Sequence, residues 1–324
     1  MSPQHQETPL MSCKRPDRAA AGYWATWLSG ILCLLLALAM LPGCGLAAPA
    51  QDASLERRLA ARAFEDPKAQ QLAAAAALGD AEAVRRLMQD EGVDPDVHFG
   101  GSNGGMPLLA WPIYRGNPEG LRAMLEHGAD PDAAKPYPRE EGRADSNYAN
   151  AMVWATEQDD QAYLNLLLDH GGDPDTRNAN DEALLFHDFI KGNRWRNVQL
   201  LVERGADVNI RSSPASTILV TYASRGGFMM THWLLEHGAD PTLDYAFRKP
   251  VHAPDSHAIE AIFWHPGDRE DPNWQIRCQR WLLERGHERP PMPEHYRKMR
   301  QTFGFPHEEE QIPLPDMGGE GGQA

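Results

Sequence analysis

One short phrase recurs six times, and it limits the fold more than any other feature. It reads LMQDEGVDPD at 87–96, MLEHGADPD at 124–132, LLLDHGGDPD at 166–175, LLVERGADVN at 200–209, LLEHGADPT at 234–242 and LLERGHERP at 282–290. The turn glycines Gly92, Gly128, Gly171, Gly205, Gly238 and Gly286 are separated by 36, 43, 34, 33 and 48 residues. A base period of 33 with variable insertions describes a chain of stacked units, each too small to bury its own apolar face. In each unit a leucine pair turns inward, and the glycine ends the helix in a left-handed conformation.

A second mark precedes the first five turn glycines by about one outer helix: Gly79-Asp80, Gly116-Asn117, Gln158-Asp159, Gly192-Asn193 and Gly226-Gly227. A polar residue after a glycine suits the N-cap of a second helix. Together the two marks resemble the ankyrin repeat, whose units end in LLLxxGADxN. The family's TPLHxA opening is poorly kept: its nearest equivalents are MPLLAW from Met106, NAMVWA from Asn150, EALLF from Glu182 and TILVTYA from Thr217. The resemblance implies an all-α solenoid of about six helix-turn-helix units with capping helices. Asp66-Pro67 looks like an N-cap followed by proline at N1. Leu55, Leu59 and Phe64 stand at roughly helical spacing and suit a capping helix before the first unit. A second capping helix is expected over 293–303. The insertion AKPYPREEGRAD at 134–145 lengthens one loop at the turn edge.

The first residues read as a targeting segment. Lys14, Arg15 and Arg18 precede the apolar run WLSGILCLLLALAML at 27–41, which leads into LPGC and then GLAAPA. That is the order of a secretory signal. LPGC resembles a bacterial lipobox, which implies lipidation at Cys44. Cleavage after Ala48-Pro49-Ala50 and a retained membrane anchor are the alternatives. The expected organisation is a signal with lipobox over 1–44, a linker and N-terminal capping helix over 45–65, repeats over 66–290, a C-terminal capping helix over 291–304, and a disordered tail over 305–324. Gly45 rather than Asp after the cysteine favours, by resemblance, a periplasmic chain anchored in the outer membrane.

Charge and motifs narrow the function. The chain has 31 Lys+Arg against 46 Asp+Glu, a net of −15, which argues against nucleic acid. Without residues 1–44 the net becomes −16, and Cys278 is left as the one free thiol, read as a buried hydrophobe. No disulfide scaffold is possible. Nucleophile-elbow, zinc-protease and phosphate-loop motifs are all missing, so no catalytic residue and no cofactor is assigned. The DPD triplets fall at the repeat turns without further calcium-ligand spacing. His127, His170 and His237 hold one repeated structural position, and His252, His257 and His265 lack a tight ligand pair, so no metal is assigned.

What remains is recognition of a protein. Trp111, Trp154, Phe186 and Tyr222 fall on or near the inner-helix strip, with Tyr114 and Tyr137 nearby. Each reads either as core filling or as a partner-binding anchor on the concave face. Trp195, Trp233, Trp274 and Trp281 lie on outer helices and read as core. Glu140 and Glu141 in the long loop are the local acidic contact candidates. The chain is thus read as a monomeric, lipid-anchored, non-enzymatic module for one protein partner. Its repeats resemble exported bacterial ankyrin proteins found beside lipase-type toxins, which implies an immunity protein neutralising a secreted toxin. The alternative is an envelope scaffold or stress factor supporting a periplasmic enzyme.

Overall fold

The computed structural model describes residues 52–99, 105–133, 150–178, 181–190, 194–212, 216–243, 258–267 and 272–317. Six helix pairs follow one another. They are α2 (Pro67–Leu78) with α3 (Ala81–Arg85), α4 (Ala110–Arg115) with α5 (Pro118–Glu126), and α6 (Ala151–Thr156) with α7 (Ala162–Asp169). Then come α8 (Leu184–Ile190) with α9 (Trp195–Glu203), α10 (Ile218–Ala223) with α11 (Phe228–Glu236), and α12 (Ala258–Trp264) with α13 (Asn273–Glu284). A helix α1 (Ala53–Ala63) precedes them and α14 (Glu294–Phe303) follows. Inner helices touch inner helices from α2 through α4 and α6 to α8, and α10 touches α12. Outer helices do the same from α3 through α5 to α7, and α11 touches α13.

The repeated phrase builds the same turn each time. All six turn glycines have positive φ, from 66° to 98°, which L-residues resist. The residue after the glycine donates its N–H back to the carbonyl of the buried residue five positions earlier. The pairs are Ala129 to Met124, Gly172 to Leu167, Ala206 to Leu201, Ala239 to Leu234 and His287 to Leu282. This 6→1 bond is the Schellman closure, and it satisfies a carbonyl the helix leaves open. The first unit departs from it. Its phrase is one residue longer, so the bond runs from Val93 to Leu87, and the extra residue is absorbed as a π-turn over Arg86–Asp90. Leu87, Met124, Leu167, Leu201, Leu234 and Leu282 are all buried.

Capping follows the sequence signal only in part. Asp66, Asp80 and Asn117 accept the N–H of Ala69, Ala83 and Gly120, as their positions predict. In the third unit the cap moves to Gln161, while Asp160 accepts from the Ala162 N–H. In the fifth unit Gly227 is the cap and has no side chain to offer.

The first interface is unusually close. Ala73 to Ala77 of α2 are buried, and a Cβ on Gly120 of α5 would lie 1.7 Å from the Ala76 carbonyl oxygen. Asn117 ties the same two units by donating to the Ala77 carbonyl at 2.9 Å. Between the third and fourth units Asn197 does this work, donating to the Thr156 carbonyl and accepting from Gln161.

The layers are helical. The strands among the described residues are two-residue ribbons at the turn edge: β1 (His98–Phe99) with β2 (Met106–Pro107), and β3 (Arg211–Ser212) with β4 (Ser216–Thr217). Both pairs are antiparallel and pinch the loops that connect successive units.

Residues 305–317 lie within the described structure and turn back on α14. The physical reason is a set of arginines that need acceptors. Arg289 donates to the Ile312 carbonyl at 2.6 Å, Arg297 pairs with Glu308, and Arg300 donates to the carbonyls of Pro306 and of Trp264. Glu309 also accepts the Met292 N–H. Carbonyls and carboxylates of residues 305–317 serve basic residues on and beside α14.

Candidate protein-binding surface

Burial sorts the aromatic residues on the inner helices. Trp111, Phe186 and Tyr222 are buried and belong to the core rather than to a contact surface. Their rings replace the aliphatic filling that other units use. Trp154 is half-buried, and Tyr114 is 52% exposed. The strip expected from sequence therefore contracts to one pair on α4 and α6. Their ring centroids lie 6.0 Å apart, tilted by 54°. Behind them the series continues into the core: Tyr114 to Trp111 at 5.6 Å, then Trp111 to Phe64 at 5.5 Å, edge to face. Tyr137, Glu140, Glu141 and Cys44 lie outside the described residues.

Beside Tyr114, Arg115 is committed to an ion pair. Its guanidinium donates twice to Glu56 of α1, at 2.7 and 2.8 Å, and Glu56 is 1% exposed. The bidentate bond holds the guanidinium above its ordinary pKa, against the opposing effect of burial. It also fixes α1 against α4.

The outer-helix tryptophans are arranged differently. Trp195, Trp233, Trp274 and Trp281 pack against the core as partly buried residues. Arg277 lies 4.6 Å from the Trp274 ring and Arg285 lies 3.8 Å from the Trp281 ring. His237 stacks on Trp233 at 3.6 Å. These faces are served by the chain's own cations and imidazole.

The turn edge carries a ladder that sequence reading missed. The first Asp of each phrase accepts the N–H two residues on: Asp94 from Asp96, Asp130 from Asp132, Asp173 from Asp175, Asp207 from Asn209 and Asp240 from Thr242. The residue two on then reaches the next unit. Asp132 accepts the Asp173 N–H at 2.8 Å, Asp175 accepts the Asp207 N–H at 2.9 Å, and Asn209 accepts the Asp240 N–H at 2.8 Å. Carboxylates thus stand in a column. Burial, then the charges of Asp94 and Asp130, raises the Asp96 carboxyl above 3.8. Burial also raises Asp132, helped by Asp173 and Asp130 and opposed by the Asp173 N–H. Asp175 is raised in the same way, with Arg177 opposing. At the fourth unit the column changes to neutral Asn209. The signal was present as D-P-D against D-V-N.

A buried polar group joins the third and fourth units. His187 of α8 is 1% exposed; its Nδ1 lies 3.1 Å from Asn178 Nδ2 and its Nε2 lies 3.3 Å from a Glu157 oxygen. An amide nitrogen donates, so Nδ1 accepts and Nε2 carries the proton toward Glu157. Asn178 is in turn fixed by Glu182, which donates its N–H and accepts the amide. No sequence pattern marked His187.

Cys278 is buried; burial pushes its thiol up, away from reactivity. His170 and His237 bond the carbonyls of Leu166 and Trp233 with Nδ1, at 2.9 and 2.7 Å. Among the described residues no group of His, Cys, Asp and Glu is arranged to hold a metal ion, and no helix is long and apolar enough to cross a membrane.

The repeated helix pairs, left-handed turn glycines and inter-unit ladder define an ankyrin-repeat solenoid, a fold that commonly mediates protein–protein binding. No protein-family model matches the chain, and no curated protein matches it. Among solved structures, the chain is similar to the ankyrin repeat domain of Bcl-3, described as a unique member of the IkappaB protein family. The identity is 22%, the TM-score 0.48, and the match covers 67% of this chain and 86% of that one. It is also similar to the ankyrin repeat protein EF0377, at 19% identity and a TM-score of 0.45, covering 67% of this chain and 98% of that one.

Proposed function

We propose that this chain is an exported, lipid-anchored binding module that recognises one protein partner and neutralises it, in the manner of an immunity protein against a secreted antibacterial toxin. The observation that carries the binding reading is the Tyr114–Trp154 pair: exposed aromatic surface on adjacent inner helices, backed by a packed series of rings. Rigid aromatic anchors lose little entropy on contact, which is why such residues dominate interface energetics. Export and anchoring rest on the basic residues, apolar run and LPGC string before Gly45. A tethered binder placed outside the inner membrane meets an incoming toxin before its target does.

The test is capture of the tagged protein with its partners from the envelope and secreted fractions of its own organism, read by mass spectrometry. The immunity reading predicts one near-stoichiometric toxin, with loss of this protein making cells sensitive to their siblings. Recovery of a housekeeping envelope enzyme and unchanged fitness in competition would replace immunity with a scaffold role. Radiolabelled palmitate incorporation that survives in the wild type but disappears in Cys44→Ser is the expected result for the anchor.

A further inference from the structure

We infer that the exposed face of α1 is a lipid-binding surface, on which Arg57, Arg58 and Arg62 meet the phosphates of the bilayer that anchors the chain. The inference rests on the anchored reading above and names the surface that touches the lipid.

The helix has two chemically different faces. Glu56 and Ala60 are its buried residues, and Phe64 closes the same face at its end. Glu56 is committed to Arg115 of α4 at 2.7 Å, and α1 packs on α2, so the orientation of the helix is fixed. The three arginines fall on the opposite arc and are all exposed. Among the described residues none of the three forms an ion pair, a hydrogen bond or a ring contact. Arg86 and Arg204, by contrast, lie against Glu91 and Asp169, and Arg277 and Arg285 cover tryptophan rings. The acids that flank α1 do not neutralise its arginines. Asp52 accepts the N–H groups of Ser54 and Leu55, which hold its carboxyl below the ordinary value, with Arg58 the smallest influence. Glu65 lies beyond the helix end. A bare cationic face is thus displayed by a chain whose net charge after residue 44 is −16.

What such a face meets follows from chain length and charge. Cys44 precedes Asp52 by eight residues, which reach at most about 28 Å when fully extended. The first helix after the anchor therefore carries the unpaired cations, and the tether keeps it at high local concentration against lipid. Near an anionic lipid surface each basic side chain favours contact about fivefold, an effect that fades within a Debye length. Leu55, 39% exposed at the end of α1 nearest Cys44 in the chain, adds an apolar side chain for the headgroup boundary. An acidic protein would meet the same arginines but also the negative charge of the rest of the chain.

The experiment places the full chain in nanodiscs of phosphatidylcholine and, separately, of phosphatidylcholine and phosphatidylglycerol in equal parts. Arginines are labelled with phenylglyoxal and read by mass spectrometry, with exposed Arg122 of α5 as the internal reference. The expected result is a loss of labelling at Arg57, Arg58 and Arg62 of about fivefold in the mixed discs, with Arg122 unchanged and recovery at high salt. Amide exchange over 53–63 slows in the mixed discs. The triple variant Arg57→Gln, Arg58→Gln and Arg62→Gln loses that slowing without a change in denaturant unfolding, and the corresponding Lys variant keeps it. Labelling that is the same in both discs, or that falls equally at Arg122, would overturn the inference. So would capture of an acidic protein from the envelope that the triple Gln variant abolishes. If Cys44-dependent palmitate labelling is found and the two discs give equal footprints, the inference fails while the anchor stands. If palmitate labelling is absent and the α1 footprint is present, the acyl anchor fails while the lipid-binding face stands.

Discussion

The first three units and the last three share one scaffold and differ in how they spend their polar groups. Both close their turns with a left-handed glycine and, the π-turn of the first unit aside, a 6→1 bond. In the first half the ladder between units runs through carboxylates, Asp132 and Asp175. In the second half Asn209 takes the same place with the same 2.8 Å bond and no charge. Aromatic rings differ in exposure as well: Tyr114 is 52% exposed, whereas Trp274 and Trp281 are partly buried with Arg277 and Arg285 over their rings. The ladder therefore needs an acceptor and not a charge. The charge in the first half is not needed by the ladder and costs that half some stability.

That contrast can be broken most forcefully at Gly120. Gly120→Ala places a methyl 1.7 Å from the Ala76 carbonyl, and the interface between the first two units must open. A loss of about 3 kcal/mol is expected in denaturant unfolding. The corresponding position of the fourth unit, Asn197, already carries a side chain that bridges to Thr156, so that half has no such sensitivity. Next in size, Glu56→Ala strips the buried partner from Arg115 and undocks α1, for a loss of about 2 to 3 kcal/mol. A smaller effect, about 1 kcal/mol, is expected from Asp80→Ala, which removes an N-cap that the fifth unit, with Gly227, does without.

The smallest change sharpens the contrast rather than breaking it. Asp132→Asn keeps the acceptor for the Asp173 N–H and removes a like charge, so it stabilises by about 0.5 kcal/mol at pH 7. Asn209→Asp does the reverse. The sign follows from the raised carboxyls of Asp96, Asp132 and Asp175. A carboxyl raised in the folded state holds its proton more tightly there than in the unfolded chain. Its contribution is greatest below the unfolded value near 3.8 and is lost as pH rises through the folded value. Hydrogen exchange at pH 7 and pH 4, corrected for the intrinsic rate, should show protection rising on acidification around Asp96, Asp132 and Asp175, and Asp132→Asn with Asp175→Asn should flatten that rise.

Period and turn chemistry made the stack legible, because a glycine that must adopt positive φ leaves its mark wherever the turn recurs. The spacing also carried the extra residue before Gly92, although only the structure shows it absorbed as a π-turn. Orientation was not legible. Trp111 and Tyr114 are three residues apart on one short helix, yet one is buried and the other exposed. Which of them faces solvent depends on Phe64 and on the neighbouring unit, which periodicity does not encode. His187 escaped notice for a related reason: its partners Glu157 and Asn178 come from the preceding unit, so no local pattern announces the contact.

The central claim is that one half of this solenoid does the recognising. Cross-linking mass spectrometry on the complex captured from the envelope tests it most directly. Cross-links concentrated between the partner and positions 66–178, around Tyr114 and Trp154, are the predicted result. Cross-links concentrated at 181–304 would contradict it.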